Sequence, residues 1–107
     1  MVTPPKEEQP QIITSPDGKL QTLHHRMFHT LFGHRIAEGA VKNISSDSDL
    51  SAEIKADYYD AAGTLIGTEV DTVRRLDPGK TGAFEVVYSG PKRAYVKYYK
   101  LKVSIKS

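Results

Sequence analysis

The C-terminal segment combines basic and aromatic residues in a pattern that could bind an anionic ligand. Residues 91–107 contain six basic residues, no acidic residue, and three tyrosines at Tyr95, Tyr98 and Tyr99. Lysines attract phosphate, carboxylate or sulfate groups, and tyrosine rings stack on bases or sugars. The pattern suits single-stranded nucleic acid, an anionic membrane surface or an acidic polymer. It is equally typical of a solvated strand whose lysines prevent edge-to-edge aggregation.

Two tyrosines fall on polar strand faces. Tyr59 alternates with Tyr58, and Tyr98 alternates with Tyr99, so that Tyr58 and Tyr99 belong to the predicted core. An exposed aromatic pair suits sugar stacking or a protein contact. Together with the basic strand, this pair predicts a surface that contacts a ligand or partner. The predicted contact residues are Tyr59, Tyr98, Lys100 and Lys102.

Four histidines lie within eleven residues, at His24, His25, His29 and His34. On a helix, His25 and His29 would lie one turn apart, a spacing with which two ligands can bind one metal ion. On a strand they would lie about 13 Å apart, which is too far for one ion. A histidine metal site in residues 24–34 is therefore an alternative that depends on a helix. Otherwise these are exposed or partly buried strand histidines.

Aspartates in the predicted loops suggest calcium, but turn capping explains most of them. The Asp47-Ser-Asp49 loop is rich in oxygen atoms, yet the EF-hand spacing and its bidentate glutamate are absent. Asp60 is expected to cap its own turn. We predict no bound metal ion and no cofactor. A small ligand would be expected at a loop end near Asp47, Asp60 and Asp77, or on an exposed sheet face.

The composition excludes several classes of function. The 107-residue chain has no cysteine, which excludes disulfides, thiolate metal sites and cysteine catalysis. We find no nucleophile–base pair, paired-carboxylate motif or phosphate-binding loop, and predict a protein without catalytic residues that is not an enzyme. The net charge of +2 argues against a nucleic-acid partner. Apolar runs of at most three residues argue against a membrane span or a signal peptide in this chain.

The elements that would position these residues are strands. Apolar and polar residues alternate over 50–59 and 99–105, and further strands are predicted over 34–43, 64–73 and 83–88. Gly63 suits a hairpin turn, and Pro78-Gly79 suits a type II turn. Gly39, inside a strand, indicates a bulge or a close backbone approach.

Residues 20–32 fit two patterns. Their leucines and Met27 recur at three- and four-residue spacing, as on a helix, but the segment can also be interpreted as a strand, which we favour. The prediction is an all-β, immunoglobulin-like or fibronectin-like antiparallel β-sandwich of about seven strands. Residues 1–19, with four prolines, are predicted to be a linker or tether, and 20–107 a single sandwich domain. The charged strand faces favour a monomer.

The ordered set of segments from Ile36 to Ile105 resembles the FxLYD family. The resemblance is carried by Gly39 to Asn43, Ala56-Asp-Tyr-Tyr-Asp60 with Gly63, Leu76-Asp-Pro-Gly79 followed by Phe84, and Tyr99-x-Leu101-x-Val103. The sequence departs from the motif that gives the family its name at Lys55 to Asp60, where it is KADYYD. The resemblance implies an immunoglobulin-like domain of prokaryotic surface proteins and lipoproteins. It therefore implies an extracytoplasmic interaction or spacer domain behind a membrane or lipid anchor, with a protein or cell-envelope polymer as partner.

Overall fold

The computed structural model, which describes residues 9–106, consists of two three-stranded antiparallel sheets packed against each other. The first sheet has the order β1-β2-β5 and the second the order β4-β3-β6. The strands are β1 (Leu20–His29), β2 (Arg35–Asn43), β3 (Leu50–Tyr59), β4 (Leu65–Leu76), β5 (Thr81–Tyr88) and β6 (Tyr98–Ile105). A single 3₁₀ turn, Arg93–Tyr95, precedes β6. The predicted all-β sandwich is confirmed, with six strands in residues 9–106 rather than about seven.

The strand order explains the difference in strand number. The sheet β1-β2-β5 corresponds to strands A, B and E of an immunoglobulin domain, and β4-β3-β6 to C′, C and F. Strands D and G have no counterpart within residues 9–106. Because strand G would lie beside β6, its absence leaves β6 at the edge of its sheet, facing β1 across the open side of the sandwich. We call the gap between these two strands the seam.

The core consists of the inward-facing residues of both sheets, as the alternation in the sequence predicts. Tyr58 is fully buried, and its hydroxyl donates a 2.6 Å hydrogen bond across the sandwich to the carbonyl oxygen of Val86. Its ring stacks on Tyr88, with the centroids 5.5 Å apart. Tyr99 packs against the same core. One tyrosine hydroxyl thus ties β3 of one sheet to β5 of the other.

Segment 20–32 contains β1, and a bulge explains why its sequence also fits a helix. The register of β1 against β2 shifts between Thr22 and His24. The extra residue, Leu23, points outward, so the inward positions are 20, 22, 25 and 27. The inward positions therefore alternate every two residues except for one step of three, from 22 to 25. A step of three is also typical of helices, which is why the sequence of this segment fits both patterns. The predicted strand is confirmed.

Gly39 lies directly opposite this bulge, paired with His25. A Cβ atom on Gly39 would overlap the carbonyl oxygen of His24 and lie 2.7 Å from the ring of Phe84. The sequence-based expectation of a bulge or close backbone approach is therefore confirmed. The turn glycines behave as predicted as well, since Gly63 and Gly79 both have positive φ and the Asp77 carbonyl accepts the Lys80 amide.

The described part of the predicted linker contacts the sandwich. The backbone of Ile13 pairs with Thr22, and Thr14 forms an isolated bridge with Gln21, so this segment runs antiparallel to β1. The side chain of Gln9 imitates a peptide group, because its amide donates to the Leu101 carbonyl and accepts from the Leu101 amide. Residues 9–15 therefore cover the seam between β1 and β6.

No helix within residues 9–106 is long and apolar enough to cross a membrane.

We expect Gly39→Ala to lower the free energy of unfolding by about 3 kcal/mol, because the nearest atom to the new methyl group is backbone and cannot rotate away. Urea denaturation followed by circular dichroism measures this loss. Gly79→Ala is the control, since its Cβ meets no atom within 4 Å and costs only the strain of a positive φ, about 1 kcal/mol. Equal losses in the two variants would contradict the close approach at Gly39.

Tyr58→Phe tests the hydrogen bond between the sheets. The change leaves the Val86 carbonyl without this donor and should cost about 1.5 kcal/mol. Burial raises the pKa of the Tyr58 phenol well above its ordinary 10.0, so that above pH 10 the unfolded chain loses this proton while the folded chain keeps it. Stability of the wild type should therefore fall as the pH rises above 10.

The variant should lose part of that pH dependence, which urea titrations at pH 9 and at about pH 11 measure. Tyr88→Phe is the control, because within the described residues its hydroxyl has no hydrogen-bond partner. A pH dependence that is identical in wild type and Tyr58→Phe would contradict the assignment.

Candidate functional site

The four residues predicted as a contact surface all lie on the outer face of the second sheet. In the register of β3 with β6, Tyr59 lies opposite Tyr98, and Lys55 lies opposite Lys102. Lys100 points to the same face, opposite Asp57. Antiparallel pairing thus brings together residues that are about 40 positions apart in the sequence. We call Tyr59, Tyr98, Lys100 and Lys102 the Tyr–Lys surface.

The two tyrosines form a stacked pair. Their ring centroids are 5.0 Å apart and the ring planes differ by 12°. The ammonium group of Lys100 lies 5.7 Å from the centroid of the Tyr59 ring, a cation–π contact. Both rings are half-buried. The stack fixes two aromatic rings side by side, so a ligand that contacts them loses little side-chain entropy.

The cations on this face are poorly neutralised. Lys55 and Lys102 are directly opposite each other, an arrangement of like charges that is unfavourable across a strand pair. Within the described residues, neither they nor Lys100 lies within 4.0 Å of a carboxylate oxygen. Asp57 instead accepts a 2.6 Å hydrogen bond from the hydroxyl of Thr68. An anion placed between the lysines would therefore relieve repulsion as well as gain contacts.

The electrostatics of Tyr59 reflect the same neighbourhood. Partial burial, and next the negative charge of Asp57, raise the pKa of the Tyr59 phenol. The phenol is therefore neutral at physiological pH and can donate a hydrogen bond.

Lys55 was missed by sequence reasoning. Its position on the polar face of a period-two segment was the available signal, but the pairing partner of that face was unknown.

A cleft of about 330 Å³ adjoins the Tyr–Lys surface at the seam. Residues from the N-terminal segment, β1 and β6 line it, namely Gln9, Gln11, His25, Arg26, Met27, Lys97, Tyr98 and Tyr99. His25 is only 5% exposed. Its Nε2–H donates to the Pro10 carbonyl oxygen at 2.8 Å, and its Nδ1 shares a hydrogen bond with the Tyr99 hydroxyl at 2.5 Å. The polar atoms of this cleft thus hold the N-terminal segment in place.

The histidines are not brought together. His25 faces the core side of β1, while His24 and His29 are exposed and His34 is half-buried in the loop that follows β1. The strand conformation removes the helix on which a histidine metal site depended. Within residues 9–106 no three His, Asp or Glu side chains lie close enough to hold a metal ion.

The aspartates also do not form one site, contrary to the expected loop end. Asp47 and Asp77 lie at one end of the sandwich, whereas Asp60 lies in the β3–β4 hairpin at the other. Asp60 accepts the backbone amides of Ala62 and Thr64, as predicted for a turn cap. Asp77 accepts the amide of Asp49, and Asp47 pairs with Lys19 at 2.7 Å. The carboxylate oxygens of these aspartates therefore stabilise turns and loops.

Comparisons with known proteins bear on the fold. No family model matches the chain. MJ0360, an uncharacterised protein of Methanocaldococcus jannaschii, is 34% identical over 68 residues, which make up 64% of this chain and 50% of that protein. The chain thus spans half the length of this relative. The crystal structure of Campylobacter jejuni cj0090 is similar with a TM-score of 0.57, over 79% of this chain and 85% of that chain, at 13% identity. This likeness supports the β fold.

We expect His25→Phe to release the N-terminal segment from the seam. The phenyl ring keeps most of the volume but loses both hydrogen bonds, which should lower the free energy of unfolding by about 2 kcal/mol. The amide of Leu101, which Gln9 covers, should exchange with solvent faster in the variant. Hydrogen exchange followed by NMR measures this rate. His24→Phe, on the exposed face, is the control, and an unchanged Leu101 rate in His25→Phe would contradict this role of His25.

Proposed function

We propose that this domain is a non-enzymatic interaction module of an extracytoplasmic protein held at a membrane or cell envelope. The Tyr–Lys surface is its contact surface, and a protein or an acidic cell-envelope polymer is its partner. The extracytoplasmic setting rests on the resemblance to the FxLYD family, whose implied fold is a sandwich of the kind described here. Residues 9–15 pack across the seam, so a spacer from an anchor would lie before them.

The observation that carries the proposal is the juxtaposition of stacked rings with lysines that form no ion pair with any carboxylate of residues 9–106. Tyr59 and Tyr98 present aromatic surface, and beside them Lys100 and Lys102 present charge. An acidic polysaccharide matches both features, since its sugar rings have apolar faces and its carboxylate or sulfate groups bind ammonium groups. An extended polymer also fits the open face of a sheet better than it fits a deep pocket.

The buried polar groups support a non-enzymatic role because they are engaged in holding the fold. Asn43 is fully buried, and its amide donates to the carbonyl oxygens of Asp47 and Leu76 while its oxygen accepts from Ser45. Tyr58 joins the two sheets, and His25 joins β1 to the N-terminal segment. Each of these buried polar groups therefore stabilises the fold.

A passive spacer is the second candidate, and lysines on an edge strand favour it. Charged residues on β6 hinder pairing with a strand of another molecule. A spacer and a binding module differ in one observable, because only the binding module responds to an anionic polymer in a salt-dependent manner.

Heparin is the probe that tests the Tyr–Lys surface. Titration of the labelled protein should shift the backbone amides of residues 55–59 and 98–102, and added salt should reverse the shifts. Lys100→Gln combined with Lys102→Gln should weaken binding at least about fivefold, because two charge-assisted contacts are lost.

Lys42→Gln combined with Lys80→Gln is the matched control, since it removes the same charge from the first sheet and from the β4–β5 turn. Neutral dextran controls for non-specific sugar contact. Absent shifts at the Tyr–Lys surface, or equal weakening in the two double variants, would rule out this surface as a polymer site and favour the spacer.

A further inference from the structure

Three segments meet at one end of the sandwich. They are the β1–β2 loop (30–34), the β3–β4 hairpin (60–64) and the connection from β5 to β6 (89–97). Arg93 joins two of them, because its Nε donates to the Phe32 carbonyl oxygen at 3.1 Å and its own carbonyl accepts from Arg35 at 2.9 Å. The Lys97 amide donates to the Tyr59 carbonyl at the end of β3.

Large apolar side chains are exposed at this end. Leu31 is 96% exposed, Phe32 77% and Tyr95 70%, and Leu65 is also exposed. Scattered exposed hydrophobic residues are ordinary, but several at one end of a small domain mark a contact surface. We call Leu31, Phe32 and Tyr95 the apolar tip.

The β1–β2 turn itself holds Leu31 and Phe32 outward. The Thr30 amide donates to the His34 carbonyl, and the Gly33 amide donates to the Thr30 carbonyl, both at 2.9 Å. The Thr30 hydroxyl also accepts the His34 amide. Because the turn is closed by its own hydrogen bonds, its two apex residues point away from the core.

Cations surround the apolar tip. Lys92, Arg93 and Lys97 belong to the connection from β5 to β6, and Arg35 begins β2 directly after the β1–β2 loop. The three segments contain one carboxylate, Asp60, which caps its own hairpin. The ion pairs recorded within residues 9–106 involve none of these four cations. Arg93 contacts the carbonyl oxygens of Phe32 and Gly90, and no carboxylate of residues 9–106 forms an ion pair with it.

We propose that this end of the domain docks on an anionic lipid membrane. Leu31 and Phe32 insert among the acyl chains close to the headgroups, Tyr95 lies at headgroup level, and the surrounding cations contact lipid phosphates. Exposed apolar and aromatic residues ringed by Lys and Arg are what an anionic bilayer surface attracts.

The charge pattern favours a bilayer, rather than a second copy of this chain, as the binding partner of the apolar tip. Two copies that met tip to tip around a two-fold axis would place the same cations against one another. A polysaccharide supplies anions but no apolar phase that would accept Leu31. A bilayer supplies both.

The direction of the N-terminal segment agrees with this orientation. Residues 9–15 run antiparallel to β1, so Gln9 lies closer to the apolar tip than Thr14 does. A tether that anchored the chain upstream would hold this end towards the membrane. The orientation by a tether depends on the proposed function, whereas the apolar tip and its cations do not.

Vesicles with and without anionic lipid test the proposal on the full chain. The sequence contains no tryptophan, so Phe32→Trp introduces a single fluorescent reporter at the tip. Vesicles of phosphatidylcholine with about one-third phosphatidylglycerol should shift its emission to the blue, and lipids brominated on the acyl chain should quench it. Phosphatidylcholine alone should bind at least about tenfold more weakly, and about 0.5 M NaCl should have a similar effect.

Leu31→Ser combined with Phe32→Ser should reduce co-sedimentation of the protein with the anionic vesicles at least about tenfold, because two apolar side chains no longer enter the bilayer. The matched control is Ile44→Ser with Val70→Ser, two exposed apolar residues at the opposite end and on the second sheet. Circular dichroism shows whether the variants keep the fold.

Three results would overturn the proposal: no binding to the anionic vesicles, binding that the tip double variant retains, or binding that the control double variant loses equally. Sedimentation equilibrium adds a fourth, a dimer that the tip variant dissociates in the absence of vesicles, which would assign the tip to self-association. The tip variant should still bind heparin, and Lys100→Gln/Lys102→Gln should still bind vesicles. Failure of this proposal is therefore separable from failure of the proposed function.

Discussion

The backbone bulge of β1 over Gly39 is the local constraint on which the rest of the seam depends. It is possible because Gly39 has no side chain where the His24 carbonyl approaches. The extra residue turns His25 inward, where its ring binds both Tyr99 and the Pro10 carbonyl. Without it, position 25 would face solvent, and residues 9–15 would lose the hydrogen bond from the His25 ring that helps to hold them over the seam.

The same gap shapes the surface of the second sheet. Because β6 lies at the edge of its sheet, its free side meets the N-terminal segment, where Gln9 binds the backbone of Leu101. Pairing with β3 then sets Tyr98 beside Tyr59 and Lys102 beside Lys55. This pairing places cations and aromatic rings on one face, next to the seam cleft.

The sandwich thus presents two different surfaces that both carry basic side chains. The sheet face is aromatic and basic, which suits an extended polymer. The apolar tip combines cations with exposed side chains that water solvates poorly. Both surfaces lie towards the end of the domain where β3 finishes and β6 begins, so a domain held close to a membrane could use them together.

The sequence by itself determined the strands, their inward faces and their turns. The reason is that a period of two, a Pro-Gly turn and a glycine with positive φ are local, and backbone sterics enforce them residue by residue. Tyr58 and Asp60 took their predicted roles for this reason. The tertiary structure alone decided which faces became neighbours. The separation of Asp60 from Asp47, the facing of Lys55 with Lys102 and the engagement of His25 with the N-terminal segment all depend on which strands become neighbours. That is set by packing between distant segments, which no local pattern encodes.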